Sequence, residues 1–115
     1  MEKCSCEKHL AIKERLNNSS EYLSEVENAS KIFSLFGDVN RMKILLALTE
    51  GELCVYHISE IIDLKQSATS QHLRKLKDSN IVKSRKEGNQ VLYSIADEHV
   101  TKIIEIALKH ASCKA

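Results

Sequence analysis

The chain has 115 residues, 43% of them hydrophobic and 29% charged, with a formal net charge of +1, four cysteines and no tryptophan or proline. This length and composition are ordinary for one soluble globular domain, and no apolar run is long enough to cross a membrane. The first residues lack the apolar core of a secretory signal, so we expect a cytoplasmic protein without membrane contact. In a reducing cytosol, the four cysteines are expected to be ligands, redox sensors or buried side chains rather than disulfides.

The first half of the chain is predicted to be helical. Residues 1–19 are polar and weakly periodic, and they predict an N-terminal arm with some helix over Lys8–Leu16. Apolar residues at helical spacing then predict a helix over 20–36. Gly37 is expected to end this helix, and Asp38 to cap a second helix that ends by Gly51.

In the second half of the chain, the spacing of the apolar residues changes from helical to strand-like and back to helical. A short helix is predicted over 54–63, with Val55, Ile58, Ile61 and Ile62 facing inward, and a second helix begins at Ser67 after a turn of three residues. Two β-prone runs, 81–86 and 90–95, flank Glu87-Gly88-Asn89, where glycine and asparagine suit the positive-φ positions of a hairpin. A last helix is predicted from about Asp97 to Ser112. The fold class is therefore mostly α with a small β-hairpin, a winged helix-turn-helix over 20–115.

The near-neutral net charge conceals a local concentration of basic residues. Between residues 65 and 86 there are seven basic residues and one acidic residue, whereas the rest of the chain has ten basic and fifteen acidic residues. Such asymmetry indicates a surface that meets a polyanion. In a helix-turn-helix the second helix enters the major groove, and a basic hairpin lies near the DNA backbone. The predicted DNA-binding residues are Gln66, Ser67, Thr69, Ser70, Gln71, His72, Arg74, Lys75, Lys77, Lys83, Arg85, Lys86 and Asn89.

The last helix contains four candidate metal ligands, Asp97, His99, His110 and Cys113. The two histidines are eleven residues apart, which puts them on one helical face but roughly 16 Å from each other. One ion therefore cannot bind both histidines of one chain. The helix could pair antiparallel with its copy in a second chain. The donors at the start of each helix would then lie beside those at the end of the other, which forms the site twice. The pairing would use an apolar stripe of Val100, Ile103, Ile104, Ala107, Leu108 and Ala111. A carboxylate, two imidazoles and a thiolate suit zinc.

Several segments resemble the ArsR/SmtB family of metal-responsive repressors. They are GDVNRMKILLAL, GELCVYHISEII, SATSQHLRKLKDSNIVKSRKEGNQVLYSI and DEHV, and the resemblance covers about residues 25–113. It is closest to the zinc/cadmium/lead and zinc/cobalt sensors, and it implies a homodimer on operator DNA that is released by metal. Zinc sensors of the family carry Asp-x-His followed by His-x-x-His or His-x-x-Glu, so Cys113 is a departure.

The resemblance also implies a second site. Lead and cadmium sensors of the family join N-terminal cysteines to a Cys-x-Cys, whereas this chain has Cys54-Val55-Tyr56 and lacks one thiolate. Cys4, Cys6 and Cys54 could still hold a soft ion, and the equal alternative is a buried Cys54 beside a disordered arm. His9 and His57 are predicted to be surface residues, with His9 as an alternative ligand from the arm.

The function predicted from the sequence is a homodimeric repressor released by zinc, cadmium or lead. One alternative is a repressor on the same fold that senses arsenite, persulfide or an oxidant through its thiols. Another is a metal-buffering protein without DNA function, which would have no use for the basic segment. An enzyme is not expected, because the sequence contains neither a glycine-rich phosphate loop nor a pairing of nucleophile and base.

Overall fold

The computed structural model describes residues 7–18 and 20–113. The elements are α1 Glu7–Asn18, α2 Ser20–Phe36, α3 Val39–Leu48, β1 Leu53–Cys54, α4 Val55–Ile62, α5 Gln66–Asp78, β2 Val82–Glu87, β3 Gln90–Ile95 and α6 Glu98–Ser112. This order confirms the predicted winged helix-turn-helix. Within the described ranges, no helix combines the length and apolar character that crossing a bilayer requires.

The described residues form two compact units, which divide between Phe33 and Ser34. In the first unit, α1 is longer than the partial helix predicted for the arm, and it buries none of its side chains. α2 has the predicted bounds, and its apolar residues Leu23, Val26 and Phe33 are exposed.

The start of α3 is set by a side-chain cap. Asp38 has an extended backbone, and its carboxylate accepts hydrogen bonds from the backbone N–H groups of Asn40 at 2.8 Å and Arg41 at 3.4 Å. The cap satisfies two donors that have no partner inside the helix. The predicted N-cap is therefore confirmed, while the helix ends at Leu48, earlier than Gly51.

The turn between α4 and α5 is short because α4 ends in a left-handed residue. Asp63 has φ 55° and ψ 57°, and the N–H of Leu64 donates back to the carbonyl of Ser59 at 3.0 Å. This reversal lets α5 begin at Gln66, one residue before the predicted start. One prediction for α4 was wrong: Ile58 and Ile62 are buried, but Ile61 is 59% exposed, because it lies on the outer face of the helix.

The hairpin belongs to a sheet of three antiparallel strands in the order β1-β3-β2. β2 pairs with β3 from Val82↔Ile95 to Glu87↔Gln90, across a two-residue turn of Gly88 and Asn89. Only Gly88 of these two has a positive φ, 60°, so the prediction of positive φ at both was wrong. A positive φ at the first turn residue alone is the pattern of a type II′ hairpin. The two-residue strand β1 was not predicted from the sequence.

The core of the second unit draws on all its helices and on its sheet. The side chains that are at most 2% exposed include Ile44, Leu45, Ile58, Leu73, Leu76, Ile81, Val82 and Ile104. They belong to α3, α4, α5, β2, α6 and the residue before β2. The buried positions of α5 are on one side of the helix, which leaves its opposite face to solvent.

We expect Asp38→Ala to lower the free energy of unfolding by about 1 kcal/mol, because α3 loses its N-terminal cap. Asp38→Asn, which keeps a side-chain acceptor, is the matched control and should lose less. Denaturant titration followed by circular dichroism measures both. Equal unfolding midpoints for Asp38→Ala and the wild-type chain would contradict the role of the cap.

Asp38 also makes the stability of the fold depend on pH. Burial acts to raise the pKa of Asp38, but the N–H groups of Asn40 and Arg41 outweigh it and lower the pKa. A lowered pKa in the folded state means that the stabilisation is complete above about pH 4 and is lost as the pH falls further. Asp38→Asn should remove this part of the pH dependence.

Candidate nucleic-acid interface and metal ligands

The outward face of α5 presents the polar residues expected to meet DNA. Gln66, Ser67, Ser70 and Gln71 are exposed in the first half of the helix. Arg74, Lys75 and Lys77 follow in the second half and are exposed as well. Amides and hydroxyls, groups suited to base edges, thus precede cations, which suit phosphates, along one helix.

Thr69 does not belong to this face. Its side chain is fully buried, and its hydroxyl donates to the carbonyl of Lys65 at 3.0 Å, one turn earlier. The prediction that Thr69 contacts DNA is therefore corrected, since its hydroxyl is already used and its methyl lies in the core. The position is three residues after Gln66 and four before Leu73, on the buried side of α5.

His72 is held by a residue of α3. The Nε–H of Arg41 donates to Nδ1 of His72 at 3.2 Å, and another N–H of the same guanidinium donates to the carbonyl of Leu35 at 3.4 Å. Because Nδ1 accepts this bond, the neutral ring carries its proton on Nε2. The hydrogen bond from Arg41 thus orients the imidazole of His72, whose Nε2–H is a donor.

The basic residues of the hairpin are not equivalent. Arg85 forms hydrogen bonds to both carboxylate oxygens of Glu52, at 2.7 and 2.8 Å, and an ion pair with Glu87 at 2.7 Å. The hydrogen bonds from Arg85 lower the pKa of Glu52. Arg85 thereby links the hairpin to the residue before β1. Its side chain is nevertheless exposed, as are those of Lys83, Lys86 and Asn89.

The first pair of candidate metal ligands lies at the start of α6. Asp97 is the N-cap, as predicted, and its carboxylate accepts from the backbone N–H groups of His99 at 2.9 Å and Val100 at 3.3 Å. The same oxygen lies 3.4 Å from Nδ1 of His99. Both side chains are exposed, so the carboxylate and the imidazole form an accessible pair of donors.

The second pair lies at the other end of α6. His110 and Cys113, together with Ile106 and Lys109, border an open cavity of about 270 Å³. Cys113 is exposed, and its thiol is free. Within the described residues, no group of three or more potential ligands comes together in one chain. The two pairs therefore suit one tetrahedral ion only if a second chain brings its opposite helix end alongside.

A third pair of donors involves a histidine predicted to be a plain surface residue. His57 is exposed, but its Nδ1 lies 3.4 Å from Sγ of the buried Cys54. Cys54 keeps a free thiol. Cys4 and Cys6, the other members of the predicted cysteine site, lie outside the described residues.

Sequence reasoning did not single out Arg41, Glu52 or the pairing of His57 with Cys54. Arg41 and Glu52 lie 31 and 33 residues from their partners, so no local pattern could reveal these bonds. The signal for His57 was available, because positions three residues apart on a helix are neighbours.

Comparison with known proteins supports the winged helix-turn-helix fold. The family described as "Bacterial regulatory protein, arsR family" matches residues 38–84. A cadmium resistance transcriptional regulatory protein CadC homolog of Staphylococcus aureus is 38% identical over 113 residues, which cover 96% of this chain and 93% of that protein. The chain belongs to the ArsR family.

Two further relatives extend the comparison for this ArsR-family regulator. A transcriptional repressor SmtB homolog of Synechocystis sp. is 33% identical over 88 residues, covering 76% of this chain and 67% of that protein. The crystal structure of NolR from Sinorhizobium fredii has a TM-score of 0.74 and 34% identity, covering 84% of this chain and 96% of that one. The ArsR-family protein is thus a winged-helix transcriptional regulator and not an enzyme. The family match at 38–84 covers α3 to α5 but not α6, so it supports the regulator class and leaves the ligand set of α6 to be tested.

We expect Arg74→Ala to weaken binding to any DNA duplex and to reduce the salt slope of binding by about one, because a phosphate contact is lost. Arg85→Ala is the matched comparison. Its charge already faces Glu52 and Glu87, so its salt slope should change less. Fluorescence anisotropy at several salt concentrations measures both slopes. Equal changes would show that Arg85 leaves its carboxylates when DNA binds.

We expect Arg41→Met to weaken DNA binding by up to about tenfold, because one charge-assisted hydrogen bond no longer orients His72. Circular dichroism should show an intact fold. The ¹⁵N shifts of the His72 ring should change from those of the Nε2–H tautomer to those of a mixture. An unchanged tautomer together with unchanged DNA affinity would show that the Arg41–His72 hydrogen bond has no role in DNA binding.

Proposed function

We propose that this ArsR-family chain is a metal-responsive repressor that binds operator DNA as a homodimer and is released by a thiophilic or borderline divalent ion, namely zinc, cadmium or lead. The observation that carries the proposal is the placement of two pairs of donors at opposite ends of α6. Asp97 and His99 are at one end, and His110 and Cys113 are at the other. In this proposal, residues 20–115 serve both DNA binding and dimerisation, with residues 1–19 as an arm.

The exposure of α6 supports pairing with a second copy. Val100 and Ile104 are buried in the core of their own unit, whereas Ala107, Leu108 and Ala111 farther along the predicted stripe are exposed. An exposed apolar strip on the last turns of a helix is stabilised when it packs against the same strip of a twofold-related copy. In an antiparallel pair, each start of α6 then lies beside the partner's end.

The chemistry of the donors sets the class of ion. One carboxylate, two imidazoles and one thiolate satisfy the four positions of a tetrahedral zinc site. The thiolate of Cys113 shifts the preference towards softer ions such as cadmium. The names of the relatives, one a cadmium resistance regulator and one an SmtB repressor homolog, support a metal effector of this class.

Release from DNA follows if the ligated dimer has a different separation of its two α5 helices. Two recognition helices bind successive major grooves only at one spacing. A ligand shifts the dimer between two geometries by its difference in affinity for them, and such couplings commonly amount to about 1–3 kcal/mol. The residues of α6 would hold the ion, while α5 and the hairpin carry the effect to DNA.

Operator binding in the presence and absence of metal tests the proposal. We expect zinc or cadmium to weaken binding to a duplex from the protein's own upstream region by about 10- to 100-fold. His110→Gln should retain DNA binding without metal and lose the response, while Glu105→Gln, a change at an exposed residue of α6 outside both pairs of donors, should behave as wild type. Unchanged DNA affinity with metal demonstrably bound would refute release by metal, and absence of DNA binding would favour a metal-buffering protein.

A thiol-sensing repressor is the second candidate, because the thiol of Cys113 is free and exposed. Such a sensor needs no imidazole at the start of α6. His99→Gln should therefore abolish the response if the effector is a metal, and should leave it intact if the effector is an oxidant or arsenite. Anisotropy measurements with cadmium and with hydrogen peroxide separate the two candidates.

A further inference from the structure

Tyr93 lies on the inner face of the hairpin, the one that points towards α5. It is two residues before Ile95 in β3, so the two side chains share one face of the sheet. Ile95 pairs with Val82, which is buried in the core, and this identifies the face as the inner one. The side chain of Tyr93 is only half-buried there. The sequence pattern does not single out Tyr93 as a DNA-binding residue.

A polar cleft separates this part of β3 from α5. Its volume is about 340 Å³, and it is lined by Ser70, Arg74, Lys77, Asp78 and Tyr93. A second cavity, of about 390 Å³, also has Ser70 and Tyr93 in its lining and extends to the tip of the hairpin. Because the two cavities share these two residues, they adjoin along one groove between α5 and the hairpin.

The phenol of Tyr93 is available to a ligand in this cleft. Within the described ranges, its hydroxyl takes part in no hydrogen bond. No buried oxygen or nitrogen of a side chain lacks a partner in that part of the chain, so the unpaired hydroxyl is reached by solvent. The phenol of Tyr56, by contrast, donates to Oε2 of Glu60 at 3.2 Å. Tyr93 thus offers a hydrogen-bond donor that the chain itself does not use.

The charge of the cleft suits one anionic group. Arg74 and Lys77 are three residues apart and therefore lie on one side of α5. Among the described residues, neither of them forms an ion pair. Asp78 offsets one of these two cations, which leaves an excess of one positive charge in the cleft. Arg85 of the hairpin differs, because two carboxylates already hold its guanidinium.

The groove lies where the backbone of a bound duplex has to pass. One sugar-phosphate strand separates the major groove of DNA from the neighbouring minor groove. When α5 occupies the major groove, the hairpin beside it lies across that strand. The strand then enters the gap between the two elements, and its phosphates lie against the cleft.

We propose that this cleft binds one phosphodiester of the operator backbone, and that Tyr93 donates its phenol hydrogen to an oxygen of that phosphate. Arg74 and Lys77 supply the opposite charge, while the phenol fixes the position of the phosphate. Such a contact carries no sequence information, but it sets the register of α5 on the duplex. This inference rests on the DNA binding of the proposed function and not on release by metal.

Anisotropy measurements with the metal-free, full-length protein test the contact. Tyr93→Phe removes only the hydroxyl, and it should weaken binding to the upstream duplex and to a duplex of unrelated sequence by the same factor, about tenfold. The slope of log affinity against log salt should stay as in the wild type, because a neutral phenol releases no counterion. Lys77→Gln should lower that slope by about one. Tyr56→Phe is the matched control and should bind as the wild type does, because its phenol already has a partner in the chain.

Neutral linkages in the DNA locate the phosphate. Operator duplexes that each carry one methylphosphonate in place of a phosphodiester are measured with the wild type and with Tyr93→Phe. At one linkage in each half-site the effects of the two changes should not add, because the same hydrogen bond is lost only once. Asp78→Asn keeps Tyr93 and removes an acidic neighbour of the phosphate, so it should tighten binding to unmodified duplexes by about two- to fivefold.

Four results would overturn the phosphate contact. They are wild-type affinity of Tyr93→Phe, a loss confined to the operator sequence, additive effects at every linkage, and unchanged or weaker binding by Asp78→Asn. The last of these does not depend on the folding of Tyr93→Phe, which circular dichroism checks. If zinc and cadmium leave DNA binding unchanged while Tyr93 couples to one linkage, the contact is supported and release by metal is refuted. If Tyr93→Phe binds as the wild type does while metal still releases the DNA, the reverse holds.

Discussion

Aliphatic side chains from α3, α4, α5, α6 and the sheet meet in one core, and every functional surface of the second unit depends on that contact. Leu73 and Leu76 insert from α5, while Ile44, Ile58 and Ile104 approach from three other helices. Burying these side chains removes apolar surface from water and locks the rotation of α5 about its own axis. That rotation determines that Ser70 and Gln71 face solvent and that Thr69 does not.

Two contacts of arginine side chains join elements that the core has already brought together. Arg41 joins α3 to His72 of α5, and Arg85 joins the hairpin to Glu52. Both links use a guanidinium, whose planar set of donors can hold two acceptors in a defined geometry. The Arg85–Glu52 ion pair is exposed and contributes little to stability, so its value lies in orienting the hairpin, while the hydrogen bond from Arg41 orients the ring of His72. They place the imidazole and the hairpin strands that lie beside DNA in the proposed function.

The proposed metal position in α6 can couple metal binding only to the arrangement of two chains. The donors of α6 are separated by the rigid length of the helix, so an ion there reports on the arrangement of two chains.

Local chemistry by itself determined the helices, the hairpin and the two aspartate caps, because helix periodicity and capping involve residues a few positions apart. The caps of Asp38 and Asp97 and the bounds of α2 could be predicted for that reason. The tertiary structure alone decided that Ile61 faces outward, that Thr69 is buried, that β1 pairs with β3, and that Arg85 is neutralised by Glu52. Each of these depends on which side of an element meets the core or on a partner more than thirty residues away. The sequence pattern thus indicated a DNA-binding winged helix with donors for metal. The packing of α4 and α5 decided which of their side chains are exposed to solvent.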